Sequence, residues 1–138
     1  MLSAWAPERH TLESPPRKVA VVDDDLGMRK SVARLLNAHG FETEAYASAE
    51  AFLNRASPSV IGCIVLDIHL EGMSGIELWH HMKRSNSQIK VVFITAVDDD
   101  ALESEAVKAG CVAYLRKPFP ADSLIRAVNE ALTGSPAE

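Results

Sequence analysis

Three consecutive aspartates, Asp23, Asp24 and Asp25, follow the apolar run Val19-Ala20-Val21-Val22, and Asp67 ends the run Val60-Ile61-Gly62-Cys63-Ile64-Val65-Leu66. Carboxylates side by side repel one another, and one takes up a proton unless a cation shares the site. Hard oxygen ligands of this kind suit Mg²⁺, which keeps several waters and uses one or two carboxylates. Asp25 directly precedes a helical stripe and is expected to cap that helix. A single cap does not require three aspartates, so a metal site is the favoured reading of the cluster. The Asp67 carboxylate can attack a phosphorus centre and form an acyl phosphate if the charge on the transferring group is neutralised. Lys117 is the candidate counter-charge, a compact ammonium on a long stem that follows Val112-Ala113-Tyr114-Leu115 and precedes Pro118. Thr95, after Val91-Val92-Phe93-Ile94, supplies a hydroxyl for a phosphoryl oxygen. Taken singly, Lys117 reads as a solvated lysine and Thr95 as a strand-end cap. The specificity lies in the ordered set, each member ending its own apolar run. His80 and His81 are adjacent, point to different sides of a helix, and receive no role.

The elements that must position these groups alternate strictly. Short β-branched runs predict strands at Lys18 to Val22, Phe41 to Tyr46, Val60 to Asp67, Lys90 to Ile94 and Val112 to Leu115. The stripe Met28, Val32, Leu35 and Leu36 predicts the first helix, with Gly40 as its left-handed cap. Ser48 is expected to cap a short second helix running through Ala56, with Phe52 and Leu53 turned inward. Gly75 opens the third helix, in which Ile76, Trp79, Met82 and Lys83 follow helical spacing and the first three are the buried candidates. Asp98-Asp99-Asp100 starts the fourth, where Asp100 and Glu103 fit a capping box. Its large apolar anchors are Leu102 and Val107, so it is expected to pack most loosely. The fifth helix begins near Pro120, carries the stripe Leu124, Ile125, Val128 and Leu132, and ends at Gly134. Five βα units in alternation imply an α/β fold, a doubly wound five-stranded parallel sheet with helices on both faces. In such sheets ligands sit beyond the carboxyl ends of the strands, where the four apolar runs deliver their polar residues.

Bulk properties narrow the function. A chain of 138 residues suits a single domain. The net charge of −5 argues against direct nucleic-acid binding by this chain, which needs clustered Lys and Arg. No apolar run approaches the roughly 18 residues of a membrane span, so no membrane partner is expected. Residues 1–17 have no sustained periodicity and end in Pro15-Pro16; they are read as a flexible arm, not a signal peptide, and 134–138 as a tail. Cys63 and Cys111 are expected as free thiols, and a cytoplasmic location is the default.

With these residues in view, the stretch 18–133 resembles a receiver domain of two-component response regulators. Val21-Val22-Asp23-Asp24-Asp25 resembles the acidic motif of the family, and Asp67-Ile68-His69-Leu70-Glu71-Gly72-Met73-Ser74-Gly75 resembles its phosphoacceptor segment. Thr95-Ala96 matches the switch Thr/Ser with its small neighbour, and Tyr114 falls at the rotating aromatic. Lys117-Pro118-Phe119 matches the lysine that a cis peptide bond aims. Ser48-Ala49-Glu50-Ala51-Phe52-Leu53 is similar to segments of nitrogen-fixation-type transcription regulators. The resemblance implies a flavodoxin-like (βα)5 fold with strand order 2-1-3-4-5. It implies a signalling switch rather than a turnover enzyme, with only self-catalysed phosphotransfer and autodephosphorylation. Asp67 is then the phosphoacceptor. Asp24, Asp67 and the His69 backbone carbonyl bind Mg²⁺, and Asp23 acts through water. A sensor histidine kinase or phosphotransfer protein is the donor. Thr95 moves to bond the phosphoryl oxygen, Tyr114 turns inward into the space released, and the face made by the fourth helix, fifth strand and fifth helix changes for a downstream protein partner. The resemblance also leaves room for a phosphorylation-linked homodimer.

Glu71 departs from the family pattern, standing where a proline is usual, which removes a φ restraint and adds charge near the metal. His69 and Val97, two residues beyond Asp67 and Thr95, occupy positions that influence how water reaches an acyl phosphate in similar domains. His69, Glu71 and Val97 are therefore expected to modulate the site. The competing class is an aspartyl-nucleophile phosphohydrolase with His69 as general acid, distinguished by multiple-turnover hydrolysis of a phosphomonoester. A flavodoxin-like cofactor binder is disfavoured by aspartates where a phosphate loop would sit. Met1 and the untagged end favour a complete single-domain regulator over a receiver cut from a DNA-binding protein.

Overall fold

The computed structural model describes residues 18–55 and 60–134. The expected arm (1–17), Ala56 and the tail beyond Gly134 lie outside the described residues; the second helix, expected to run through Ala56, already ends at Leu53 with Asn54 as its C-cap. The chain alternates β1 (Lys18–Val22), α1 (Leu26–Ala38), β2 (Glu42–Tyr46), α2 (Ala49–Leu53), β3 (Cys63–Asp67), α3 (Gly75–Arg84), β4 (Lys90–Thr95), α4 (Asp100–Lys108), β5 (Ala113–Arg116) and α5 (Ala121–Thr133). All strand pairs are parallel, in the order β2-β1-β3-β4-β5. This is the flavodoxin-like arrangement, with its switch point between β1 and β3.

Period-2 alternation along the central strands builds two cores. Ala20, Val22, Ile64, Leu66, Val91 and Phe93 face α2, α3 and α4, meeting Phe52, Leu78, Trp79, Met82 and Ala106. Val19, Val21, Cys63, Val65, Val92 and Ile94 face α1 and α5, meeting Val32, Leu36, Leu124, Val128 and Leu132. Trp79 meets Phe93 edge-on with ring centroids 5.1 Å apart, an arrangement worth about 1 kcal/mol beyond its buried area. Strands β1, β3 and β4 are covered on both sides, which is why they read as continuous apolar runs.

Several local expectations shift. Leu78 is fully buried in α3, whereas Ile76 is only partly so. Helix α3 starts with a complete capping box: the Ser74 side chain accepts from Glu77 N and Glu77 accepts from Ser74 N. The cap of α4 is Asp99, accepting from Leu102 N at 3.0 Å, so Asp100 and Glu103 do not form the expected box. Val107 is 54% exposed and is not an anchor; Ala106 is the one buried residue of α4, which leaves that helix with a small apolar payload. Gly40, Gly110 and Gly134 have positive φ at helix ends, as expected of such caps. Both cysteines are free, and burial pushes the Cys63 thiol up to about 12.

Candidate functional site: an acidic cluster with a bridging lysine

The site forms where the carboxyl ends of β1 and β3 lie side by side. Their register pairs Val22 with Leu66, so the next residues, Asp23 and Asp67, emerge next to each other. Asp23 is fully buried and Asp67 nearly so. The carboxylate oxygens of Asp23, Asp24 and Asp67 lie within 4.8 Å of one another, with Asp24 open to solvent. Asp25 leaves the cluster and caps α1 by accepting from Met28 N, as expected.

Lys117 reaches the same point from the end of β5. Its Nζ donates to Asp23 Oδ2 at 2.9 Å and to Asp67 Oδ2 at 3.3 Å. The Lys117–Pro118 peptide bond is cis. Burial works to lower the Lys117 pKa, but the hydrogen bond and charge of Asp23 and the charge of Asp67 outweigh it and hold the ammonium above its ordinary value. Asp67 is also held above the usual carboxylate range. Loss of water is the main cause and Asp23 adds to it, against the opposing pull of Lys117 and the His69 amide. Two buried carboxylates thus share one ammonium, and a further cation beside Asp24 would relieve the excess negative charge. An all-oxygen donor set that is partly open to water fits Mg²⁺.

The supporting contacts come from three loops. His69 N donates to Asp67 Oδ1 at 3.1 Å, which orients the carboxylate; the His69 side chain is exposed. Thr95 is fully buried at the end of β4, and its Oγ1 accepts from Val97 N at 3.0 Å. Tyr114 is buried and packed near Phe93, with its hydroxyl buried and without a hydrogen-bond partner among the described residues. Glu71 and Val97 are exposed on the loops after β3 and β4.

Four contributors escaped the reading of the sequence. Arg29, one turn into α1, donates from Nη1 to the Asp23 carbonyl at 2.8 Å and steadies the acidic loop. Gly75 packs directly on the backbone of Asp67: a Cβ there would lie 2.3 Å from the Asp67 carbonyl oxygen. Glu50 accepts from Met73 N at 2.8 Å. Arg116 bonds Asp98, Asp100 and Glu103, tying β5 to the start of α4. Only the Ser74-x-x-Glu77 box had a sequence signature; these four contacts are tertiary.

The family model of the response regulator receiver domain matches residues 19–129. The chain is 39% identical over 119 residues to nodulation protein W of Bradyrhizobium diazoefficiens, covering 86% of this chain and 52% of that protein. Among solved structures, response regulator StyR is 40% identical with a TM-score of 0.77, covering 86% of this chain and 60% of that one. The crystal structure of FixJ-N is 36% identical with a TM-score of 0.77, covering 88% and 97%. The chain spans about half the length of the curated relatives it matches. No helix among the described residues is long and apolar enough to cross a membrane. Fold, acidic cluster and family match agree, and the chain belongs to the response regulator receiver domain family of two-component systems.

Proposed function

We propose that this receiver accepts a phosphoryl group on Asp67 from a phosphohistidine of a sensor kinase or phosphotransfer protein, and that the modified domain alters a downstream protein partner. The observation that carries the reading is the convergence of Asp23, Asp24, Asp67 and Lys117, from three strand ends, on one solvent-facing point. One Asp67 carboxylate oxygen forms the bond to phosphorus while the bond from phosphorus to the donor imidazole nitrogen breaks, and the imidazole leaves neutral after taking a proton. Asp24, Asp67 and the His69 backbone carbonyl would hold Mg²⁺, with Asp23 acting through water. When bound, that ion supplies charge neutralisation to the transferring group.

The protein residues do the rest. The His69 amide holds Asp67 in orientation, and Lys117 presents a fixed positive charge that needs no reorganisation during transfer. Thr95 uses its oxygen to hold Val97 N, leaving its hydroxyl proton for a phosphoryl oxygen. Movement of Thr95 would be felt by the loop leading to Asp98 and Asp99, and through Arg116 by β5. The small buried payload of α4 supports displacement of that helix. The exposed His69, with Glu71 and Val97, is placed to influence water reaching the acyl phosphate.

The test is incubation with acetyl phosphate and Mg²⁺, followed by the intact mass of wild type and Asp67→Asn. The expected result is one labile phosphoryl group on wild type and none on the variant, with a lifetime that His69→Ala changes. Absence of the group, or multiple-turnover hydrolysis of phosphomonoesters, overturns the reading.

A further inference from the structure

The loop after β3 must hold the His69 carbonyl in place without the φ restraint a proline would supply at position 71. Three consecutive backbone donors at its far end are each captured. Met73 N donates to Glu50 Oε2 at 2.8 Å, Ser74 N to Glu77 Oε1 at 2.8 Å, and Gly75 N to Ile68 O at 2.9 Å. The last two are internal to the β3–α3 unit. Glu50 arrives from α2, a separate element 23 residues earlier in the chain.

We propose that Glu50 is a positioning residue for the chemistry at Asp67: its carboxylate braces the β3–α3 loop from outside and so sets the place of the His69 backbone carbonyl. The proposal deepens, and rests on, the phosphoacceptor reading above. A second observation supports it. Gly72 has φ +76°, and a Cβ built there would lie 2.6 Å from Glu50 Oε2. The carboxylate therefore lies against the bare Cα of Gly72 while it bonds the next amide, two contacts that define one position for the loop. The Met73 hydrogen bond, followed by the amide of Glu50 itself, holds the Glu50 pKa below its ordinary value, so the brace is an ionised acceptor at neutral pH. Leu70, 8% exposed, anchors the middle of the same loop in the core. The loop is thus fixed at Asp67 by His69 N, in its middle by Leu70, and at its far end by Glu50. Glu50 itself is exposed, so its loss leaves both cores intact and its variants are expected to fold.

The experiment compares wild type, Glu50→Ala and Glu50→Gln by three readouts. These are amide exchange at Met73 in EDTA, Mg²⁺ affinity by calorimetry, and phosphoryl uptake from acetyl phosphate as a function of Mg²⁺. Glu50→Ala is expected to speed Met73 exchange about tenfold and to weaken Mg²⁺ binding about three- to tenfold, at or below the lower end of outer-shell effects on metal affinity. Uptake at saturating Mg²⁺ should stay within about twofold of wild type, because the nucleophile and Lys117 are untouched. Glu50→Gln keeps an acceptor oxygen and should restore both exchange and affinity to within about twofold. Unchanged Mg²⁺ affinity or unchanged Met73 exchange in Glu50→Ala, with normal wild-type uptake, overturns the brace. So does a Glu50→Gln variant as impaired as Glu50→Ala. A wild type that takes up no phosphoryl group overturns the phosphoacceptor reading itself, and the positioning role falls with it.

Discussion

Replacing Gly75 by Ala sets local propensity against tertiary packing, and the two predict opposite signs. Gly75 is the first residue of α3, and a helix gains roughly 0.5–1 kcal/mol when Gly becomes Ala. The structure forbids that gain. A Cβ at Gly75 would lie 2.3 Å from Asp67 O, 2.9 Å from Ile68 Cα and 3.1 Å from Asp67 C, all backbone atoms. Opening the first contact to 3.0 Å, below which Cβ atoms essentially never approach, requires 0.7 Å of movement. Neither side yields easily. Asp67 is registered against Ile94, and Ile68 N donates to Ile94 O at 3.1 Å. Retreat of α3 instead strains the Gly75 N to Ile68 O bond and the Ser74–Glu77 box. Overpacking of this kind costs about 1–3 kcal/mol and a lost hydrogen bond about 1 more. We expect a net loss of about 2–3 kcal/mol in urea unfolding, or roughly 10 °C in Tm. If Asp67 is the group that moves, phosphoryl uptake should slow on the order of 10- to 100-fold, since about 1 Å of misplacement costs about that much. A Gly75→Ala protein as stable as wild type, with normal uptake, refutes the reasoning.

Two other perturbations probe the charge arrangement. Lys117→Met strips the shared ammonium from two buried carboxylates; the full cost of breaking a buried pair is about 3–5 kcal/mol. The open mouth beside Asp24 reduces this to about 2 kcal/mol in EDTA, and denaturant melts should show the deficit shrinking in Mg²⁺. Equal deficits in both conditions count against a shared cation site. Asp67→Asn tests the raised Asp67 pKa. A folded carboxyl above its ordinary 3.8 holds its proton longer in the folded chain than in the unfolded one. The metal-free fold is therefore favoured below that value and loses stability as pH rises from 3.8 through the raised pKa. In EDTA the variant should match wild type at low pH and exceed it at neutral pH, while Mg²⁺ at ten times Kd returns about 1.4 kcal/mol to wild type. Parallel pH curves for the two proteins would sink the argument.

The central strands β1, β3 and β4 and the polar residue at the end of each were legible from the chain alone, because burial on both faces writes itself as short β-branched runs. Asp23, Asp24, Asp67 and Thr95 were legible for the same reason, whereas Lys117 follows the half-exposed edge strand β5 and was legible by its place in the ordered set. Helix boundaries were less so. Asp99 and Asp100 are interchangeable as caps by type, and only the side chain that turns back to Leu102 N decides between them. Leu78 and Ile76 both fit a helical stripe, and the rotation of α3 on the sheet selects Leu78. What tertiary structure alone decided was the convergence. Lys117 meets Asp23 across 94 residues, Glu50 meets Met73 across 23, and Gly75 touches the Asp67 backbone. Such contacts depend on sheet order and on the path of loops, and neither leaves a local periodicity in the sequence.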